Sequence, residues 1–172
     1  MDLLDFDPEP LYFDDPLTPE VDGLLRAAAD GYAEDQAEAH LLRAYFLAPQ
    51  QLTVLVALYR YFYYRHCLAE ARLTAQRAMA EAAQRLGFPL DWRELTALQL
   101  GVGVQRSMGL VRFYLMALKA HAYLDLRASE LGEGCAKLEK LVALDPLDRL
   151  GGCVLLAVAR ERLPATRTMD VG

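Results

Sequence analysis

The chain has 172 residues, 54% of them apolar and 24% charged, with eleven glycines, eight prolines and three cysteines. A chain of that length buries a core without metal or disulfide support, and Cys67, Cys135 and Cys153, widely spaced and without a CxxC pair, exclude a disulfide scaffold. Eight of the acids behind the formal charge of -6 stand in residues 1–22 with no Lys or Arg among them, so the remainder carries about +2 and offers no Lys-rich track for nucleic acid.

Residues 1–18 read as an acidic arm, because Pro8, Pro10 and Pro16 discourage helix and the carboxylates repel one another. The arm's Leu3, Leu4, Phe6, Leu11, Tyr12 and Phe13 alternate with acids, a pattern that suits either a solvated tail or docking on a basic groove of this chain or a partner. An acidic, proline-broken start lacks the basic and apolar order of a signal peptide, and the longest apolar stretch, Leu52 to Tyr64, is cut by Arg60 and is too short to span a bilayer. The expectation is a cytoplasmic chain with no membrane contact and reduced thiols, each cysteine acting as a small buried apolar residue.

From Pro19 onward apolar residues recur every three or four positions, the helical period, and strand signals are nearly absent. Residues 19–172 therefore predict one all-α domain, with helices near 19–31, 35–47, 52–66, 68–86, 105–128, 133–144 and 148–162 and a flexible tail over 163–172. Pro49, Gly87 with Pro89, and Pro146 supply the stops. An insert at 88–104 separates two helical halves, with a short helix near Arg93 to Gln99 and a glycine-softened hinge in GVGVQRSMG (101–109).

A 34-residue offset joins Ala37 to Ala71, Ala44 to Ala78 and Leu24 to Leu58. Alanine at these points predicts close helix approach. The order Leu24, Ala37, Leu41, Ala44, Pro49 in one unit and Leu58, Phe62, Ala71, Ala78 in the next resembles the tetratricopeptide repeat family. A looser third unit uses Ala120, Tyr123, Leu138, Leu144, Asp145 and Pro146, with Gly134 in place of alanine. The resemblance implies antiparallel helix pairs stacked as a short, degenerate superhelix, with a C-terminal capping helix over 147–162. The strings HLLRAYFLAP, QLTVLVALYRYFYYRH and GFPLDWREL are further similar to the small nitrogenase-associated repeat proteins of the factor T kind. That likeness implies an accessory that docks on the molybdenum-iron protein of nitrogenase.

Chemistry has little to work with. His40, His66 and His121 fall on separate predicted elements with no HxxxH or HExxH pair, the glycine-rich stretch lacks the Lys-Ser/Thr ending of a phosphate loop, and Asp91 suits a helix cap better than a catalyst. No metal or cofactor is expected. The unusual feature is LYRYFYYRH (58–66), in which Leu55, Leu58, Tyr59 and Phe62 read as core. Arg60, Tyr63 and Tyr64 then fall where the resemblance implies a concave binding wall, with Arg26 one unit earlier and His121 and Asp125 later. Tyrosine and arginine suit protein recognition; alternatively the tyrosines pack under the arm or the insert. The reading is a non-enzymatic protein-binding adaptor. A helical enzyme or small-ligand sensor with a pocket near Trp92, Arg106 and His121 is the second reading, and self-association through an open apolar face is the third.

Overall fold

A computed structural model describes residues 15–31 and 36–162; residues 1–14 of the expected 1–18 arm, and the expected tail over 163–172, lie outside the described residues. The described chain is all-helical and contains no strand: α1 (Pro19–Asp30), α2 (Gln36–Leu47), α3 (Leu52–Tyr64), α4 (Leu68–Leu86), a 3-10 turn (Trp92–Glu94), α5 (Ala97–Arg106), α6 (Met108–Arg127), α7 (Leu131–Leu144) and α8 (Gly152–Glu161). No helix among these residues is long and apolar enough to cross a membrane.

Capping side chains set the starts of α1, α5 and α6. Thr18 Oγ1 accepts from the Val21 amide, with Pro19 supplying the first helical φ of α1. Thr96 and Gln99 form a reciprocal capping box that starts α5, and Ser107 ends α5 while its Oγ accepts from Leu110 N to start α6. The break falls inside the expected stretch 101–109 but not at its glycines. Helix α5 runs through Gly101 and Gly103, and the break lies at Ser107, whose extended backbone (φ -161°, ψ 102°) no helix can contain. Gly103 serves close approach: a Cβ there would stand 2.5 Å from the Phe88 ring. Helix α8 begins four residues later than expected because Asp148, at φ +48°, turns the chain and places Oδ1 on the Gly152 and Cys153 amides.

Packing follows chain order. Helix α1 lies on α2, α2 on α3, α3 on α4, α4 on α6, α6 on α7 and α7 on α8, with α5 laid against α6. Ala37, Ala44, Ala71 and Ala78 are each completely buried, so the alanines at the 34-residue offset all lie in the helix-packing core. Gly134 takes the same part in α7, where a Cβ would stand 2.6 Å from Leu126 Cδ2. Around these small residues the core is filled by Leu55, Tyr59, Leu118 and Leu138, none more than 1% exposed.

The insert forms a strap rather than a spacer. Phe88, Trp92 and Leu95 are buried, Phe88 meets Tyr114 edge-on at 5.3 Å, and Lys140 Nζ of α7 donates to the Leu95 carbonyl at 2.9 Å. Asp91 caps the 3-10 turn by accepting from Arg93 N, the role its position suggests. Of the three cysteines only Cys135 is buried. Cys67 and Cys153 are exposed, contrary to expectation, because one stands at the start of α4 and the other on the solvent side of α8's first turn.

Candidate functional site

Helix α3 ends in a run of aromatic residues whose spacing decides which are core and which are surface. Tyr59 is fully buried, and one turn on it stacks at 5.8 Å on Tyr63, which is only half-buried. Tyr63 meets Tyr64 edge-on at 5.5 Å and reaches across to Tyr123 of α6 at 6.3 Å. Tyr64 is 49% exposed and Arg60 is half-buried, so neither is sealed inside. Tyr123 in turn accepts at 3.0 Å from Arg127 Nη1, one turn further along α6, and that guanidinium lies 5.9 Å from the Tyr123 ring centre.

The electrostatics of this face follow from those bonds. Burial, and then the hydrogen bond its hydroxyl donates to Tyr123, push the Tyr63 phenol up to about 12. Tyr123 moves the other way: the Arg127 hydrogen bond holds its phenol below the ordinary value of 10, outweighing burial, and the Tyr63 bond adds to it. The result is a ring surface with one polar edge facing solvent, suited to apolar contact combined with hydrogen bonding to a carboxylate or amide. Tyr63 packs on α6 through Tyr123, and packing under the acidic arm lies outside the described residues.

Arg26 is exposed on α1, with its Nε on Asp22 Oδ2 at 2.9 Å. His121 and Asp125 are not on an open wall: His121 is 6% exposed and Asp125 is completely buried. The physical reason is helical phase. Positions 121 and 125 of α6 face α4 and α7, while 123 and 127 turn outward. Sequence reasoning missed Arg127 and left Tyr123 in the core pattern; the signal was the i, i+4 Tyr123–Arg127 pair, parallel to Tyr59–Tyr63 on α3.

Asp125 instead anchors a buried ion network. Its Oδ1 accepts from Arg72 Nε of α4 at 2.6 Å and its Oδ2 from Lys137 Nζ of α7 at 2.7 Å. Lys137 also reaches Glu133 at 3.2 Å, and Glu133 accepts from Arg93 Nη2 of the strap at 2.6 Å. The Trp92 ring lies under both cations, 4.3 Å from Arg93 and 5.3 Å from Lys137. Asp125 thus ties α4, α6 and α7 together, and Glu133 extends the network to the insert through Arg93. Of the second reading's three residues, Trp92 and His121 both border the Asp125–Lys137 pair, whereas Arg106 Nη1 is held at 2.7 Å on the Leu86 carbonyl. Among the described residues no group of three or more His, Cys, Asp or Glu is placed to hold a metal ion.

His121 gives the network a pH signature. Burial, only partly opposed by Asp125, lowers its pKa from 6.5 to about 4, with Lys137 and Arg72 acting in the same direction as burial. The unfolded chain therefore takes up a proton near pH 6.5 that the folded chain resists until about pH 4, so the stability tied to this residue is present above 6.5 and lost as the pH falls toward 4. On the order of 2–3 kcal/mol should disappear between pH 7 and 4.5. Urea unfolding of the wild type and His121→Leu across that range checks it: the variant should lose that much less, and equal losses would contradict the assignment.

No family model matches the chain, and no solved structure matches it. A protein of Azotobacter chroococcum mcd 1, described as an uncharacterized 19.8 kDa protein in the nifW 5' region, is 48% identical over 161 residues, which cover 94% of this chain and 90% of that one. At that identity over nearly the full length of both, the chain belongs to the same family as this nif-region protein.

Proposed function

We propose that the chain is a non-enzymatic, cytoplasmic accessory of nitrogen fixation that docks on the molybdenum-iron protein of nitrogenase and assists its assembly, stabilisation or protection. The observation that carries the reading is the outward cluster of Tyr63, Tyr64, Tyr123 and Arg127, flanked by Arg60, in a member of a family with a nif-region relative. Rigid rings with polar tips beside guanidinium groups are the side chains that contribute most per residue at protein interfaces. In the same reading the chain-order packing and the buried alanines at 34-residue spacing form a tetratricopeptide-like superhelix. Arg26 stands 34 residues before Arg60 and occupies the equivalent position of the first unit.

The test is capture from extracts of nitrogen-fixing cells on the immobilised full chain. Retention of the molybdenum-iron protein, with retention restored when that purified protein is added to nitrogen-replete extract, is the expected outcome. Failure of the purified protein to bind would remove the proposed partner.

A further inference from the structure

A second surface stands apart from the aromatic face. Between α5, the first half of α6 and the α7–α8 turn runs a groove of about 510 Å3. Val104, Val111, Leu144 and Leu147 line it, and Arg112 and Arg149 stand among its lining residues. Leu147 remains 71% exposed there. Asp145 also lines the groove, but its Oδ2 accepts from the Leu150 amide at 2.8 Å and so serves its own turn.

The described chain starts beside the C-terminal end of α4, which is joined through Arg106 to the helix that lines the groove. Leu17 packs on the core, the Pro16 carbonyl accepts from Gln51 Nε2 at 3.2 Å, and Asp15 pairs with Arg85 near the end of α4. Traced from residue 18 back to 15, the backbone passes from the start of α1, along the α2–α3 turn, to the C-terminal end of α4. The next residue, Leu86, holds Arg106 of α5 through its carbonyl, and Val104 of the same helix lines the groove. Fourteen residues precede Asp15, and at roughly 3.3–3.6 Å each they reach across the groove with length to spare. They carry Asp2, Asp5, Asp7, Glu9 and Asp14 with no base, alternating with Leu3, Leu4, Phe6, Leu11, Tyr12 and Phe13. Apolar lining with arginines beside it complements that pattern in both hydropathy and charge.

We propose that residues 1–14 occupy this groove in the same molecule, with their apolar side chains on its floor and their carboxylates on Arg112 and Arg149. A seated arm covers an apolar surface that would otherwise invite other chains. An acidic, apolar-rich segment of a partner would have to displace it. The proposal does not depend on what the aromatic face binds.

The chain carries its own reporters. Cys153 is exposed three residues beyond Leu150, beside the groove, whereas exposed Cys67 begins α4 at the end opposite Arg85, about 27 Å away by helical rise. A free arm reaches either. Full-length Asp5→Cys and Asp7→Cys variants, oxidised with diamide and mapped by mass spectrometry, should bridge within the molecule to Cys153 at least tenfold more than to Cys67. Adding Arg112→Glu with Arg149→Glu, both at exposed positions, should reduce that preference at least fivefold. Equal bridging to both cysteines, preference for Cys67, or no bridge in either variant would overturn the proposal. So would a bridge between molecules that rises with concentration, which would assign the groove to a second copy.

Discussion

Asp125→Ala is expected to cost about 3–5 kcal/mol of folding stability, read as a lowered midpoint in urea at pH 7 with little change in slope. The magnitude comes from what the substitution leaves behind. Lys137, whose side chain is 4% exposed, loses the carboxylate at 2.7 Å and keeps only Glu133, itself 46% exposed and shared with Arg93. An ammonium group deprived of its buried partner must be neutralised or must draw water into the core, and either is costly. Arg72 suffers less because its side chain is 38% exposed and can turn to solvent. Lys137→Met in the Asp125→Ala background should therefore recover at least 1–2 kcal/mol, since it removes the stranded charge and leaves an apolar side chain under Trp92. A loss below about 1 kcal/mol for Asp125→Ala, or no recovery in the double variant, would show that the network does not hold α4, α6 and α7 together.

Such a network is not visible in sequence, because its members are 53 and 12 residues apart along the chain and nothing local ties Arg72 or Lys137 to Asp125. What was legible was local. The 3.6-residue apolar period located the helices, and Ala37, Ala44, Ala71 and Ala78 announced close packing because small residues recurring at one offset have little other use. Boundaries failed where a side chain, not a glycine or proline, did the work: Ser107 divides what glycines seemed to divide, and Asp148 delays α8. The surface was legible on α3, where Tyr59 and Tyr63 fall one turn apart and the first must be core. On α6 the phase was misjudged by two residues, which exchanged buried His121 and Asp125 for outward Tyr123 and Arg127. A helix apolar on most sides, with one acid, Asp125, and three scattered bases, Arg112, Lys119 and Arg127, gives no local indication of which side another helix covers.

The aromatic face carries the second large effect. Tyr64 is about half exposed and meets Tyr63 edge-on, and Arg60 is half-buried at the end of α3, so truncating both should cost about 1–2 kcal/mol of folding stability. At an interface the same truncations remove a rigid ring and a guanidinium. Such residues, where they anchor binding, cost about 2 kcal/mol or more each. Allowing for non-additivity, the pair should weaken binding by about 100-fold. The most direct measurement is the affinity of purified molybdenum-iron protein for the wild-type chain and for Arg60→Ala/Tyr64→Ala, by calorimetry, with thermal unfolding of each run alongside. The account predicts a variant that still unfolds cooperatively, melting only a few degrees below the wild type, and that binds on the order of 100-fold more weakly; a variant that folds and binds as tightly as the wild type would contradict it.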